Sequence, residues 1–494
     1  MMEAWFNASE MIASFSPKNL IRIKLPELSL DEIDLKRLYN LGVFAADEVN
    51  ILSPEVEYME LNQRLDSASR GSVSDLISGF LERVEVKRLR VSEGTMQFTD
   101  DRGIRSNDIG FDQFSFGLDG LTIVPDLSLP FYEQFHSDEI FFSLDNYLLK
   151  LKDNLHVFEA AKIKVDSRSN LLEIRDLKIQ PEDESQIQSL LDQYGKTSTV
   201  QIRVPLLRSE EIDIQQALLD QRLEIGLISM PKPSFQVVNY RRRQASSDGV
   251  QSSEDIRGLL LGYFDQIHVD SVRVDQAKIN FQSQSESLQT KFEEDDFNLS
   301  LKNFSLYPND STFTSKTLFS EEIDLTFKNY FFTLTGGKYL VEVDQLNYNS
   351  KKESLTLDGL TVRPGQTLQS RVSLGLDFPK VELKGVNVEQ FVFEDILDLE
   401  KIEIAQGNVE VAIDREIKSR ASDRTSRNVP RKNIQQIDVD SIVAKDSQLQ
   451  LNFQTGNRSA RAIQTGFEFF IQDFHLDTLA VDRSELASLY SSAT

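Results

Sequence analysis

The sequence predicts a mainly β protein with short helices, built as an elongated array of bent antiparallel β-sheets that together form a groove. Three observations predict this fold class. Apolar residues alternate with polar residues in short segments, the segments recur along the chain, and their order repeats in larger units of about 175 to 183 residues. Tandem β-sandwiches are the alternative architecture that these observations allow.

The recurring segment has eight residues, with apolar residues at positions 1, 3, 6 and 8 and a polar or glycine doublet at positions 4 and 5. Its eight copies begin at residues 84, 116, 172, 267, 299, 355, 437 and 469. These four positions scatter around a helix, so a helix is excluded. In a strand, strict alternation would place positions 6 and 8 on the opposite face, and an inserted residue, a β-bulge, would return them. We therefore predict a continuous bent strand, with a tight turn at the doublet as the alternative.

Length and composition limit the class of protein. The chain has 494 residues, 40% of them hydrophobic, a formal net charge of −25 and no cysteine. A chain of this length has ample material for a core. The negative charge argues against nucleic acid and anionic membrane surfaces as partners, and it favours neutral, apolar or basic ones. The lack of cysteine excludes disulfides, thiolate nucleophiles and cysteine-ligated zinc.

The sequence shows no signal for insertion into a membrane. No apolar run approaches the length of roughly 18 residues that a membrane-spanning helix requires, so no transmembrane helix is predicted. The first residues include Glu3 and Glu10 and lack the basic and long apolar regions of a signal peptide.

Block A, residues 20–63, begins each large repeat. We predict an apolar strand over Leu20–Leu30 and a helix introduced by a capping box of Ser29 and Glu32. A strand pair around Val49 and Pro54 is predicted to complete the block.

Block B, residues 72–126, follows with a predicted short helix, SDLISGFLER. The segment VEVKRLRVSEGTMQF then predicts a strand, a Glu-Gly turn and a second strand.

Both blocks recur twice along the chain. In block A, Ile33 aligns with Ile212 and then with Val386. In block B, Val84 aligns with Ile267 and then with Ile437. The alignments run without gaps over each block, so the repeats are expected to share one local fold.

Block C, residues 138–181, contains Asn146-Tyr147, which recurs in the second repeat as Asn329-Tyr330. A third block C would follow residue 480, where the sequence reaches Thr494; the third unit is either cut or degenerate. The predicted domains are a lead-in (1–19) and three large repeats (20–199, 200–371 and 372–494). The polar segments 241–255 and 416–433, which carry basic residues, are predicted linkers.

No chemical site is predicted, and we do not expect an enzyme, a metal centre or a cofactor. The four histidines have no metal-ligand spacing, and the acidic run Glu293–Asp296 lacks the spacing of a calcium loop. The segment GKTS at 195–198 lacks the first glycine of a phosphate-binding loop and follows the helix-like DESQIQSLLDQY. No nucleophile and base can be paired.

The apolar face of the predicted strands is the remaining functional signal. One face carries charged residues and the other is apolar, as in Val84-Glu85-Val86. That face either closes as the core of separate sandwiches or lines a continuous trough that holds lipid chains. The predicted lining residues are Val86, Val91, Phe98, Phe116, Leu118, Ile163, Val165, Ile174, Val269, Val274, Phe281, Leu301, Ile404 and Val411.

Units such as FLERVEVKRLRVSEGTMQF and LDGLTIVPD resemble the degenerate repeats of the AsmA-like and TamB-like envelope proteins, over most of residues 20–478. Those proteins belong with the bridge-like lipid-transfer proteins of repeating β-groove type. The resemblance implies a long β-groove on the periplasmic side of the Gram-negative cell envelope that carries phospholipid between membranes without catalysis. It also implies membrane-anchored envelope proteins as candidate partners and a part in outer membrane biogenesis. The competing hypothesis is a structural or adhesive rod of tandem β-sandwiches that acts as a spacer or protein-interaction scaffold.

Overall fold

A computed structural model describes much of the chain, which divides into two compact units, Met1–Ser234 with Gly258–Val269 and Phe235–Arg257 with Asp270–Thr494. The described residues are 4–6, 10–16, 19–60, 81–100, 109–124, 135–151, 153–194, 196, 198–214, 217, 222–240, 266–285, 288–307, 319–334, 339–365, 372–386, 396–414, 436–455, 458–477 and 492–493.

The first unit is mainly β, as predicted. Its strands are β1 (Ala4–Phe6), β2 (Glu10–Ser16), β3 (Asn19–Lys24), β4 (Glu27–Asp31), β5 (Val43–Leu52), β6 (Glu55–Glu60), β7 (Arg83–Asp100), β8 (Ile109–Gly110), β9 (Gln113–Ile123), β10 (Phe135–His136), β11 (Glu139–Lys150), β12 (His156–Asp166), β13 (Leu171–Pro181), β14 (Ser198–Ile212) and β15 (Arg222–Pro231). Its helices are α1 (Leu35–Leu41) and α2 (Ile187–Tyr194).

The second unit is also built from strands. Two strands begin with residues of the first unit and end in the second, β16 (Ser234–Asn239) and β17 (Gln266–Ser285). The others are β18 (Leu288–Leu306), β19 (Glu322–Leu334), β20 (Tyr339–Asn349), β21 (Ser354–Pro364), β22 (Val372–Lys384), β23 (Ile396–Ala405), β24 (Asn408–Asp414), β25 (Gln436–Thr455), β26 (Arg458–Asp477) and β27 (Ser492–Ala493). The predicted mainly β class with short helices is therefore confirmed.

In the first unit, hydrogen-bonded neighbours run in the order β4, β5, β7, β9, β11, β12, β13, β14 and β15. In the second unit the order is β18, β19, β20, β21, β22, β23, β25 and β26. Most of these pairs are antiparallel, as predicted. The pairs β5 with β7 and β23 with β25 are parallel, so the predicted antiparallel arrangement is wrong for these two pairs.

In each of these parallel arrangements, the long strand changes its pairing partner halfway along its length. The first half of β7 pairs with β5 and its second half pairs with β6. Between the halves, Glu93 has a φ of +55° and the register against β9 shifts between Val91 and Gly94. The Glu-Gly pair is thus a β-bulge inside one continuous strand, and the predicted turn at this position is wrong. A residue with positive φ bends the strand at the bulge, but the hydrogen-bonded ladder continues on both sides of it, so no turn forms.

The doublets lie within continuous strands, which confirms the bent-strand interpretation. In β7 and β9, Val86 pairs with Leu121 and Leu89 pairs with Leu118. Between these two pairs each strand has two residues, so neither strand carries an extra residue. The predicted inserted residue is therefore wrong for this pair of strands. Instead, one of the two facing doublets contains a residue with positive φ, Gly120 at +66°.

Residues that face one another in the middle of neighbouring strands form a line that we call a crease, and these creases include the doublet residues Asp176 and Gly359. In the first unit one crease runs through Asn146, Ala161, Asp176 and Pro205. In the second unit the equivalent crease runs through Asn329, Asp344, Gly359 and Pro379. Both asparagines have a φ of +54°, so the recurrence of Asn146 in Asn329 is also a recurrence of backbone geometry. The boundaries between the four predicted domains remain a prediction.

The helix α1 begins one turn later than the capping box predicts. Ser29 lies in β4, and the Asp34 side chain accepts the backbone N–H of Arg37 at 2.9 Å. The helix ends at Gly42, whose N–H is donated to the carbonyls of Arg37 and Leu38. Asp34 takes the capping role because Ser29 is still paired with Asn50 in the ladder. The helix-like segment before GKTS does form α2.

Several predicted features lie outside the described residues, namely residues 74–80 of the predicted helix SDLISGFLER, the linkers over 241–255 and 416–433, and the start of a third block C after residue 480. Arg83, the last residue of that predicted helix, begins β7. In the part of the chain that the structure describes, there is no helix long and apolar enough to cross a bilayer.

Candidate functional site

The site candidate is an apolar face made of rows, where a row is a series of residues opposite one another on consecutive strands. Residues paired in this way point to the same side of a sheet. The first long row crosses nine strands of the first unit. Its members are Leu28, Ile51, Val91, Phe116, Phe142, Val165, Leu172, Ser209 and Ile228.

Shorter rows flank the first long row on the same face. One contains Leu30, Val49, Leu89, Leu118 and Ile140. Another contains Phe114, Leu144, Ile163, Ile174 and Leu207. Because alternate residues of a strand share a face, all three rows belong to one apolar surface.

The second unit carries two long rows, each across eight strands. The second long row contains Leu299, Leu325, Tyr348, Leu355, Leu383, Ile402, Ile442 and Ile471. The third long row contains Phe297, Phe327, Leu346, Leu357, Val381, Ile404, Ala444 and Phe469. At roughly 4.8 Å between strands, the rows extend about 34 Å in the second unit and about 38 Å in the first.

These rows are only partly shielded from solvent. In the first long row every apolar member is half-buried, and only Ser209 is fully buried. In the second long row only Tyr348 and Leu383 are buried. The middle layer of a closed β-sandwich is normally fully buried, because the facing sheet covers it. In the third long row, Phe297, Val381, Ile404 and Ala444 are buried, so the first and second long rows expose more of their apolar surface.

The opposite face of the sheets is polar and charged. Across β5 and β7, Lys87 contacts Asp47 at 2.6 Å and Arg88 contacts Glu48 at 2.8 Å. Arg90 contacts Asp119 at 2.6 Å, and the hydrogen bond from Arg90 holds the pKa of Asp119 below its usual value against the opposing effect of burial. Exposed ion pairs of this kind contribute little to stability, and their main effect is to keep this face of the sheet hydrated.

The structure brings the predicted lining residues of the first unit onto the apolar face. Phe116 and Val165 are in the first long row, and Leu118 packs with Val86 in one buried cluster. Phe98 continues this face beyond the bulge, where its ring lies 5.8 Å from the ring of Tyr58. The residues placed on this face are Val86, Val91, Phe98, Phe116, Leu118, Ile163, Val165 and Ile174.

Of the other six predicted lining residues, only Ile404 lies in one of the named rows. Val269 and Val274 are buried in β17, and the side chain of Phe281 lies outside the described part of the chain. Leu301 pairs with Ile323, and Ile404 is in the third long row. Val411 lies between Leu374 of β22 and Leu451 of β25.

Sequence reasoning missed many members of the rows. The missed residues include Phe142, Leu207, Ile228, Tyr348, Leu383 and Ile402. They lie in strands of blocks A and C that lack the eight-residue segment. The alternation in these strands, as in VSLGLDFPKVELK of β22, was the available signal.

His156 is the most buried of the described histidines, and its contacts are structural. Its Nδ1–H is donated to Oδ2 of Asp153 at 2.5 Å, and its Nε2 accepts the N–H of Val200 at 3.1 Å. Burial tends to raise the pKa of Asp153, but hydrogen bonds from His156 and Leu155 outweigh burial and hold that pKa below its usual value. Among the described residues, no group of three or more His, Cys, Asp or Glu side chains could hold a metal ion.

Comparisons with known proteins do not identify a family. No family model matches the chain, and no curated protein matches it. Among solved structures, the chain is similar to that of the sex pheromone staph-cAM373 precursor, with 9% sequence identity over 60% of this chain and 81% of that chain and a TM-score of 0.14. A similarity at that TM-score supports no statement about fold or function.

Proposed function

We propose that this chain is a non-enzymatic lipid-binding or lipid-transfer β-groove of the bacterial cell envelope, of the AsmA-like and TamB-like type. The observation that carries the proposal is the first long row, in which seven apolar residues on successive strands, Leu28 to Leu172, are half-buried, with Ile228 half-buried beyond Ser209. A long apolar strip on a sheet whose other face is charged suits a ligand with long hydrocarbon chains.

The dimensions of the rows agree with such a ligand. An acyl chain reaches about 15 Å, half of the roughly 30 Å hydrocarbon core of a bilayer. Each long row is therefore at least twice as long as one acyl chain. Covering apolar surface contributes about 25 cal/mol per Å², so acyl chains lying on the rows gain free energy without any specific polar contact.

The proposal assigns phospholipid as the ligand and membrane-anchored envelope proteins as further partners on the periplasmic side. Its support is the sequence resemblance together with the face described above. The action requires no covalent chemistry, because a lipid that moves along an apolar strip exchanges only non-covalent contacts. The competing role, a rod of closed β-sandwiches, requires the rows to be covered by protein.

Native mass spectrometry of the purified full chain tests the proposal, combined with solvent extraction and lipid analysis. We expect phospholipid to be bound in the wild-type protein. The substitution Leu357→Asp places a charge in the third long row and should reduce bound lipid at least fivefold, because a carboxylate is poorly solvated beside acyl chains.

The matched control is Thr356→Asp, one residue earlier in the same strand. Thr356 pairs with Asn347 and Glu382, so its side chain lies on the polar face. Both variants add one negative charge to β21, and only Leu357→Asp adds it to the apolar face. Absence of lipid from the folded wild-type chain, or equal lipid content in the two variants, would contradict the proposed function and favour the rod.

A further inference from the structure

In the part of the chain that the structure describes, one edge of the long strand β26 is largely unpaired. One side of β26 pairs with β25 along nearly its full length, from Gln436 opposite Asp477 to Thr455 opposite Arg458. On the other side, β27 pairs with Ile471 and Gln472. Among the described residues, no other strand pairs with this second edge. Residues 459–466 are exposed.

The corresponding edge is covered by a strand in each of the earlier repeats. The alignment of the repeats places Leu299 of β18 on Phe469 of β26, and the edge of β18 pairs with β19 through Leu299 opposite Leu325 and Leu301 opposite Ile323. The edge of β9 pairs in the same way with β11. The covering strands read EIFFSLDNYLLK and EIDLTFKNYFFTL, so both begin with Glu-Ile and carry Asn-Tyr at the crease.

The short strand β27 begins the same pairing in the same register. Gln472 pairs with Ser492 and Ile471 pairs with Ala493. In the same alignment, these pairs correspond to Lys302 with Glu322 and Leu301 with Ile323. Ser492 and Ala493 therefore occupy the places of the first two residues of β19. Residues 467–470 of β26 correspond to the residues of β18 that the next part of β19 covers.

We propose that the edge of β26 is a docking site for an added antiparallel strand, supplied by a partner polypeptide with the pattern of β11 and β19. An open strand edge presents unpaired N–H and C=O groups that pair readily with an extended segment. This inference is independent of the proposed lipid function, because main-chain hydrogen bonds and side-chain alternation carry it.

The apolar side chains of β26 define which strand fits. Phe469 and Ile471 are half-buried and end the third and second long rows, and Phe467 packs against Phe469 with ring centroids 5.8 Å apart. In the β19 arrangement, the partner strand places apolar residues opposite Phe467 and Phe469, while Ala493 already lies opposite Ile471. Docking extends the apolar face by one strand. Only a partner whose apolar and polar residues alternate in the right register fits, because a shift of one residue would place its polar side chains on the apolar face.

The test adds a synthetic peptide of the sequence DLTFKNYFFTL, residues 324–334, to the full chain. In the register of β19 this peptide lies beyond the places that Ser492 and Ala493 occupy. Fluorescence anisotropy of the labelled peptide measures binding, and hydrogen exchange measures protection along β26. In an antiparallel ladder, alternate residues of β26 point their N–H groups away from β25. We expect saturable binding and slower exchange of these outward amides within residues 458–470.

The control peptide has the same composition with its apolar residues moved by one position, so its apolar side chains would face away from Phe469. We expect it to bind at least tenfold more weakly. Equal binding of the two peptides would overturn the proposal by showing non-specific adhesion. Full protection of the outward amides in the free chain would also overturn it, because the edge would then already be occupied. If the chain binds no lipid but still docks the peptide, the proposed function fails and this inference stands.

Discussion

Gly359 shows how a single residue shapes the apolar face. It has a φ of +66° at the crease of β21, opposite Asp344 of β20. A Cβ built on Gly359 would lie 2.1 Å from Oδ2 of Asp344 and 3.0 Å from its Cβ. Rotation of the aspartate removes the first clash but leaves the second, so glycine is required both for its backbone conformation and for space.

We predict that Gly359→Ala destabilises the second unit by about 2 to 3 kcal/mol, of which roughly 1 kcal/mol comes from the positive φ and the remainder from displacement of Asp344. Urea unfolding followed by far-UV circular dichroism measures the change, and hydrogen exchange on β20 and β21 locates it.

Gly466 provides the matched control for this substitution. It has the same φ of +66°, and a Cβ built on it meets nothing within 4 Å. Gly466→Ala should therefore cost only the conformational part, about 1 kcal/mol. If the two variants lose equal stability, the close approach of Asp344 has no energetic role.

At the scale of elements, the start of β12 is joined to the start of β14 by His156. His156 lies opposite Pro181, where β13 ends, and its ring reaches Val200 of β14. On the other side of the ring, Asp153 also accepts the backbone N–H groups of Leu155 and His156. A buried carboxylate with several donors thus holds the ring that connects two strands.

We predict that Asp153→Asn weakens this junction in a pH-dependent way. The pKa of Asp153 is lowered in the folded chain, so its stabilising effect is complete above its ordinary pKa of about 3.9 and is lost as the pH falls through the lower folded value. The free energy of opening, measured by hydrogen exchange of the Val200 amide, should fall by about 1 to 2 kcal/mol at pH 7. The difference from the wild type should shrink below about pH 4; a difference independent of pH would contradict the role assigned to the carboxylate.

The elements also show how far the sequence predicts the fold. The alternation and the doublets predicted the strands and one continuous apolar face, because both depend on local periodicity. The parallel pair of β5 and β7 was missed, since pairing order depends on contacts between distant segments. The capping residue was misassigned because Ser29 satisfies the local motif while its place in the ladder with Asn50 decides its conformation.

The candidate site was predictable only in part for the same reason. Residues such as Phe116 and Val165 stand in recurring or strictly alternating segments, so their common face follows from local pattern. Phe142 and Ile228 join the first long row through pairing register, and register is not visible in one strand alone. The open edge of β26 depends on which strands pair beside it, which only the assembled sheet shows.

At the scale of the whole molecule, repeats recur in the backbone as well as in the sequence. The alignment that places Asn146 on Asn329 also places Asn170 on Glu353, and these two residues both have a φ of +48° in equivalent turns. Glu93, Gln276 and Asp446 have φ values of +55°, +53° and +48° at positions that the repeat alignment places on one another. Addition of similar units is a simple way to lengthen an apolar face, because each unit needs only its neighbours.

The net charge of −25 has a consequence for any exchange of lipid with membranes. The formal charge repels a vesicle of anionic lipid at long range. Salt shortens that repulsion, since the Debye length falls from about 30 Å at 0.01 M to about 8 Å at 0.15 M ionic strength. The apolar contacts on the rows are not weakened by salt in this range.

We therefore predict that the chain extracts a labelled phospholipid from anionic vesicles about tenfold faster at 0.15 M than at 0.01 M salt. A fluorescence-dequenching assay with vesicles of defined composition measures the rate. Vesicles of zwitterionic lipid are the control, and their rate should change less than twofold because the long-range term is absent. A rate from anionic vesicles that falls with salt would contradict the prediction. It would mean that a local basic surface, such as the basic residues within 416–433, overrides the net charge and brings the chain to the membrane.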